Sequence, residues 1–139
     1  MGSEKAKRPK ILEGRTYKVK MPNCGTLFVT INLPLEVLCR MGKSQACQNA
    51  WIEAVSRLIS LALQNGADVE DVIEQLQGIR CQAAGIPFGG KGKAVLSCPD
   101  AIARTLKEEI TPTEEVQNSK DRIQEGPLVY RNNISDTVA

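Results

Sequence analysis

The stretch Ser97-Cys98-Pro99-Asp100-Ala101-Ile102-Ala103 decides how the rest of the chain is interpreted. A serine followed three residues later by an acid is typical of a helix start, and proline is well tolerated in the first turn. We therefore predict a helix from Ser97 to about Ile110, with Cys98 in its first turn. The free backbone N–H groups and the dipole at a helix start favour a thiolate.

Three further cysteines occupy similar settings, at the ends of predicted elements or in turns. One lies in the turn Asn23-Cys24-Gly25, one in the first turn of a long helix that Ser44 can cap, and one directly after Gly78-Ile79-Arg80. We expect four cysteines to converge on one site: Cys24, Cys47, Cys81 and Cys98.

The spacing of these cysteines does not by itself indicate a metal site. The gaps between them are 22, 33 and 16 residues, and no CxxC pair exists, so the pattern is not that of a zinc finger or ribbon. The alternative is that small, apolar cysteines fill the core, as free cysteines often do. Cys39 lies inside a strand pattern and is expected to be a core residue.

Composition limits the classes of function. The 139 residues suffice for one domain, and with 42% hydrophobic but only 4% aromatic residues the core must be largely aliphatic. The absence of histidine excludes Ser-His and Cys-His catalysis and histidine metal sites, so catalytic activity is not expected. No apolar run is long enough to span a membrane, and the odd number of cysteines fits a reducing compartment, so we expect a soluble, cytoplasmic protein that does not bind membranes.

Charge is distributed unevenly along the chain. Residues 1–20 contain seven basic residues against two acidic ones, whereas residues 107–139 contain four against seven. We predict three segments: a basic, flexible leader over 1–14, a folded domain over 15–110, and an acidic and polar tail over 111–139 that is mostly disordered.

The hydrophobic patterns predict an α+β fold. Alternation from Arg15 and the β-branched run Thr26–Asn32 indicate a hairpin, and Leu35–Arg40 indicates a third strand. A long amphipathic helix follows, in which Trp51 and Leu58 are expected to pack in the core. With a helix capped by Asp68 and the one that begins at Ser97, the prediction is a small antiparallel sheet packed against one long and two shorter helices.

Two other features allow weaker interpretations. The glycine-rich segment 85–93 has the spacing of a P-loop, but Gly92 replaces the Ser or Thr that binds magnesium, so a flexible connector is predicted. Lys91 and Lys93, with Arg80 and the basic leader, could bind a nucleotide or nucleic acid. Asp100 is expected to act as a helix cap and not as a catalytic acid.

Five blocks of the sequence, taken together, resemble the TSCPD domain. They are Arg15–Val19 with Cys24-Gly25, Gly42-Lys43-Ser44 with Cys47, Arg57–Leu63, Gln75–Cys81, and Leu96–Ala103. This domain is the module near the C-terminus of vitamin B12-dependent (class II) ribonucleotide reductases and is also found as a stand-alone protein. The resemblance covers about residues 8–107, with Leu96 in place of the threonine in the family motif.

The resemblance implies that Cys24, Cys47, Cys81 and Cys98 fall on the cysteine positions of the family, whereas Cys39 does not. A shared four-cysteine site would suit zinc, with an iron–sulfur cluster as the alternative. The barrel domain that carries out ribonucleotide reduction has no counterpart in this sequence.

We therefore expect a non-catalytic, metal-binding accessory or interaction module, with a reductase subunit or another protein as its partner. Two alternatives remain open at this point. One is a thiol–disulfide redox protein that uses Cys98 and a resolving cysteine, and the other is a nucleotide or nucleic-acid binding module. The sequence does not predict the oligomeric state.

Overall fold

A computed structural model describes residues 4–42, 46–85 and 94–125. It contains three strands, β1 (Arg15–Lys20), β2 (Thr26–Asn32) and β3 (Glu36–Met41), and four helices, α1 (Ala46–Gln64), α2 (Val69–Leu76), α3 (Cys98–Ile110) and α4 (Glu114–Glu125). The strands form one antiparallel sheet in the order β1-β2-β3. The predicted α+β class is confirmed. Among the described residues, none of the helices is both long and apolar enough to span a membrane.

The sheet buries one face. Leu27, Val29 and Ile31 of β2 are almost completely buried, and they alternate with half-buried residues, as the two-residue period of a strand requires. On β3, Val37 pairs with Ile31 and Met41 pairs with Leu27, so these side chains extend the same face. Helix α3 adds further fully buried side chains to the core of the domain: Ala101, Ile102, Ala103 and Leu106.

The buried face of α1 differs from the predicted one. Ile52, Ile59 and Leu63 are buried, whereas Trp51 is 71% exposed and Leu58 is 65% exposed. The prediction that Trp51 and Leu58 belong to the core is wrong. Apolar residues occur on two opposite sides of this helix, and hydrogen bonds to β3 decide which side turns inward.

These hydrogen bonds run from the open edge of β3 to polar side chains of α1. The N–H of Val37 donates to Ser60 Oγ at 3.1 Å, and the N–H of Cys39 donates to Ser56 Oγ at 2.8 Å. The N–H of Met41 donates to Asn49 Oδ1 at 2.9 Å. The helix thus takes the place of a fourth strand, which prevents the unpaired edge from associating with other chains.

The helix ends follow the predicted chemistry in part. Gly66, with a φ of 89°, ends α1 in the left-handed conformation that favours glycine. Asp68 occupies the N-cap position of α2 with an extended backbone, but its side chain makes no capping hydrogen bond. Ser44, the predicted cap of α1, lies outside the described residues.

Within residues 4–14, the described part of the basic leader, Ala6 and Arg8 form hydrogen bonds to the domain. The Ala6 N–H donates to the Gln64 carbonyl oxygen at 2.8 Å. The Arg8 guanidinium binds both carboxylate oxygens of the buried Glu36 at 2.8 and 3.1 Å, and Asn32 Nδ2 donates to the same carboxylate at 2.8 Å. The hydrogen bonds from Arg8 have the largest effect on Glu36, and together with the bond from Asn32 they hold its pKa below the ordinary value, although burial opposes this. The segment boundaries remain predictions.

The chain divides into two compact units, residues 1–109 and 110–139. Within the second, α4 covers 12 residues of the segment that was predicted to be a mostly disordered tail. The pattern does not predict this helix because only Val116 and Ile123 are apolar within it, too few to form a hydrophobic stripe. The segment Leu128-Val129-Tyr130 lies outside the described residues.

We predict that Glu36 makes stability depend on acid pH. Because its pKa is lowered on folding, its contribution is fully present above the ordinary pKa of 4.5 and is lost as pH falls through the folded-state value. Urea unfolding at pH 7 and pH 3 should therefore show a large difference in midpoint between wild type and Glu36→Gln at pH 7, and a smaller difference at pH 3.

Glu53→Gln is the matched control, because it removes an exposed ion pair with Arg57 and should change the unfolding free energy by at most about 0.5 kcal/mol. An equal effect of Glu36→Gln at both pH values would contradict the assignment.

Candidate functional site

The start of α3 is built around two buried polar side chains. Ser97 Oγ accepts the N–H of Asp100 at 3.1 Å, which confirms the predicted cap, and it donates to the Ile79 carbonyl oxygen at 2.5 Å. The Asp100 carboxylate, which is 1% exposed, accepts the N–H groups of Gly78 at 2.9 Å and Leu96 at 3.2 Å. Asp100 therefore holds two N–H groups that precede α3, whereas a helix cap, as predicted, would bind N–H groups at the start of the helix itself.

Arg104 completes the surroundings of Asp100. Its Nε lies 3.0 Å from the carboxylate, one helical turn along α3. Together these bonds fix the exit of α2, at Gly78, against the entry of α3. Cys81 and Cys98 lie just beyond these two anchored points, so the polar cluster determines where both thiols are held.

Hydrogen bonds also connect the segments that carry the other predicted site residues. The Cys81 N–H donates to the Leu96 carbonyl oxygen at 2.9 Å, and Asn23 Nδ2 donates to the Ala83 carbonyl oxygen at 3.3 Å. The hairpin turn with Cys24 therefore lies beside the turn with Cys81. On the other side, Gln48 Nε2 of α1 donates to Cys98 Sγ at 3.3 Å.

The electrostatics of Cys98 show which thiols are close to it. Burial of this half-buried side chain raises its pKa most, and the thiolates of Cys24 and Cys81 raise it further, while the bond from Gln48 lowers it. Cys24 and Cys81 are therefore both within electrostatic reach of Cys98. The direction is opposite to that expected from the helix start, because burial outweighs the effect of the backbone N–H.

The remaining cysteines differ from this group. Cys47 is exposed in the first turn of α1, next to Gln48 in sequence. Cys39 lies opposite Val29 in β3, which confirms its predicted place in a strand, but it is half-buried and not a fully buried core residue. Burial raises its pKa to about 11. Over residues 4–42, 46–85 and 94–125, no three Cys, Asp or Glu side chains are arranged closely enough to hold a metal ion.

The glycine-rich loop has a defined base. Gly85 and Val95 form an isolated antiparallel bridge, with N–H···O distances of 3.1 and 2.7 Å. The predicted connector between them, including Lys91 and Lys93, lies in residues 86–93, outside the described residues. Arg80 is exposed in the segment before Cys81.

Sequence reasoning missed several residues that position the site. Gln48 carries no signal of its role, since a polar residue near a helix start is ordinary. Asn49, Ser56 and Ser60 do carry one, because their intervals of seven and four place them on one face of α1. Because α1 is expected to pack on the sheet, a row of polar residues along one of its faces could have indicated contact with a strand edge.

The fold is that of a small α+β domain in which hydrogen bonds join the hairpin turn that contains Cys24, the turn that contains Cys81 and the segment before Cys98. A family model described as the TSCPD domain matches residues 3–110 of the chain, which is most of its length. The chain therefore belongs to the TSCPD domain family. No curated protein and no solved structure matches it.

We predict that Asp100→Ala destabilises the domain by about 3 kcal/mol, because it leaves the buried N–H groups of Gly78 and Leu96 and the guanidinium of Arg104 without their acceptor. Urea unfolding measures this change. The control is Asp71→Ala in the first turn of α2, an exposed site, where the effect should stay within about 0.5 kcal/mol. Equal effects of the two substitutions would contradict a central role for Asp100.

Proposed function

We propose that this chain is a non-catalytic accessory or interaction module related to class II ribonucleotide reductase, stabilised by one zinc ion bound to Cys24, Cys47, Cys81 and Cys98. The observation that carries the proposal is the network of hydrogen bonds between the segments that hold these residues. The hairpin turn contacts the turn after Cys81, that turn contacts the start of α3, and α1 contacts Cys98 itself.

The donor chemistry suits zinc. Thiolates are preferred ligands for tetrahedral zinc, and the chain has no histidine that could replace them. The charges of Cys24 and Cys81 disfavour the thiolate of Cys98, and a divalent cation would relieve this because it stabilises the deprotonated form of its ligands. Since the described side chains do not yet form a metal-binding cluster, binding would have to draw the thiols closer together.

The fourth ligand would come from α1. Cys47 lies in the first turn of this helix, one residue before the glutamine that bonds to Cys98. An exposed thiol near a helix end can turn at little cost, because few neighbours restrict it. Binding would then connect α1 to the hairpin turn, to the segment after α2 and to α3.

A structural role follows from the small core. A metal that joins four separate segments restricts the unfolded chain and contributes its binding free energy to folding. The chemistry that zinc would supply here is cross-linking through thiolate bonds. The surfaces of the domain would then act in binding a partner, and membership in the TSCPD family makes a ribonucleotide reductase subunit the first candidate.

The two alternatives have less support. A redox role for Cys98 needs a thiol of lowered pKa, whereas burial raises the pKa of this thiol. A nucleic-acid role for the basic leader is weakened by Arg8, because its charge is paired with Glu36.

We predict about one zinc ion per chain in protein purified without added metal, measured by ICP-MS, since four thiolates complete a tetrahedral structural site. Cys98→Ser should lose most of this zinc and lower the melting temperature. Cys39→Ser is the matched control, because Cys39 lies in β3 and should not contribute to binding. Wild-type protein without zinc, or equal zinc content in Cys98→Ser and wild type, would refute the proposal.

A further inference from the structure

The outward face of α1 carries a continuous apolar stripe. Three of its side chains are large and exposed: Trp51 by 71%, Leu58 by 65% and Leu61 by 46%. The stripe is completed by smaller exposed residues on the same side of the helix, and its members are Ala50, Trp51, Ala54, Leu58 and Leu61. It lies opposite the face that carries Ile52, Ile59 and Leu63 into the core.

The spacing of the stripe is that of a helix-pairing seam. The positions 51, 54, 58 and 61 alternate in steps of three and four, which is the a/d pattern of a coiled coil. Such a seam is a surface on which a second helix can place its own side chains. An isolated exposed leucine needs no explanation, but a row along the length of α1 marks an interaction surface.

The size of the surface fits a pair of identical chains. Trp51 alone exposes about 150 Å², and the whole stripe amounts to several hundred Å² per copy, as large as the largest apolar patch on a typical monomer. Beside it, between α1 and α3, an apolar depression of about 160 Å³ is lined in part by Trp51, Val55, Pro99 and Ile102. Two such surfaces together reach the roughly 1,000 Å² that a specific interface needs.

The charges beside the stripe favour a second copy over a charged partner. Along one side, Glu53 and Arg57 form an exposed ion pair at 2.6 Å. Along the other side lie Val55 and Ala62, which are uncharged. The surface therefore carries no net charge that would attract an acidic or basic partner, and pairing it with itself buries no like charges.

We propose that two copies of this chain associate through the α1 stripe, with the helices antiparallel and crossing near Ala54. The small side chain at that position permits close approach of the two helices. Trp51 then packs against Leu58 of the second copy, and the two-fold symmetry repeats the contact. In the same register Glu53 faces Arg57 of the second copy at the rim.

This inference does not rest on the zinc proposal, and its test is separable from it. Sedimentation equilibrium of the purified full chain, at concentrations from about 1 to 200 μM, should show a monomer–dimer equilibrium. Trp51 is the only tryptophan, so its emission should move to shorter wavelengths over the same concentration range as it leaves water. Zinc content is measured on each sample, so that loss of metal cannot be mistaken for loss of the interface.

Leu58→Glu should weaken association at least about 30-fold, as expected for a charge at the centre of an interface. Ile11→Glu is the matched control, because this residue is 79% exposed and lies in the leader and not on α1, and it should leave association unchanged. Wild type that remains monomeric up to 200 μM with unshifted Trp51 emission overturns the proposal. Equal weakening by Ile11→Glu and Leu58→Glu also overturns it.

Discussion

The buried carboxylate of Asp100 is the constraint on which the cysteine end of this domain depends. A charge that is 1% exposed is costly unless its acceptor capacity is filled, and here Gly78, Leu96 and Arg104 fill it. Hydrogen bonds to a charged group contribute roughly 1.5–3 kcal/mol each, more than an exposed ion pair does. The exit of α2 and the entry of α3 are therefore held in one arrangement, and the thiols of Cys81 and Cys98 are carried with them.

Helix α1 has three faces with different tasks, and this explains its composition. One face buries Ile52, Ile59 and Leu63 against the sheet. A second presents Asn49, Ser56 and Ser60 to the open edge of β3. The third is apolar although the domain leaves it exposed, and pairing with a second copy accounts for it. A helix with apolar residues on two opposite sides can serve both a core and an interface, provided that polar contacts determine which side faces inward.

Much of the fold could be predicted from local patterns. The alternation in β1, the β-branched run of β2, the glycine that ends α1 and the serine that caps α3 are short-range signals, and the structure confirms each of them. The orientation of α1 could not be predicted, because Trp51 and Leu58 fit the apolar period as well as Ile52 and Ile59 do. Which apolar side of α1 packs inward depends on its hydrogen bonds to β3, a strand that lies in another part of the sequence. The raised pKa of Cys98 could not be predicted either, because it depends on how far the folded chain buries this side chain.

The zinc proposal depends on four sulfur atoms around one metal ion, and X-ray absorption at the zinc edge measures this most directly. In the purified protein we expect a single shell of four sulfur neighbours at about 2.3 Å. A shell that contains nitrogen or oxygen would show that the four thiols do not bind the metal together and would refute the four-cysteine site.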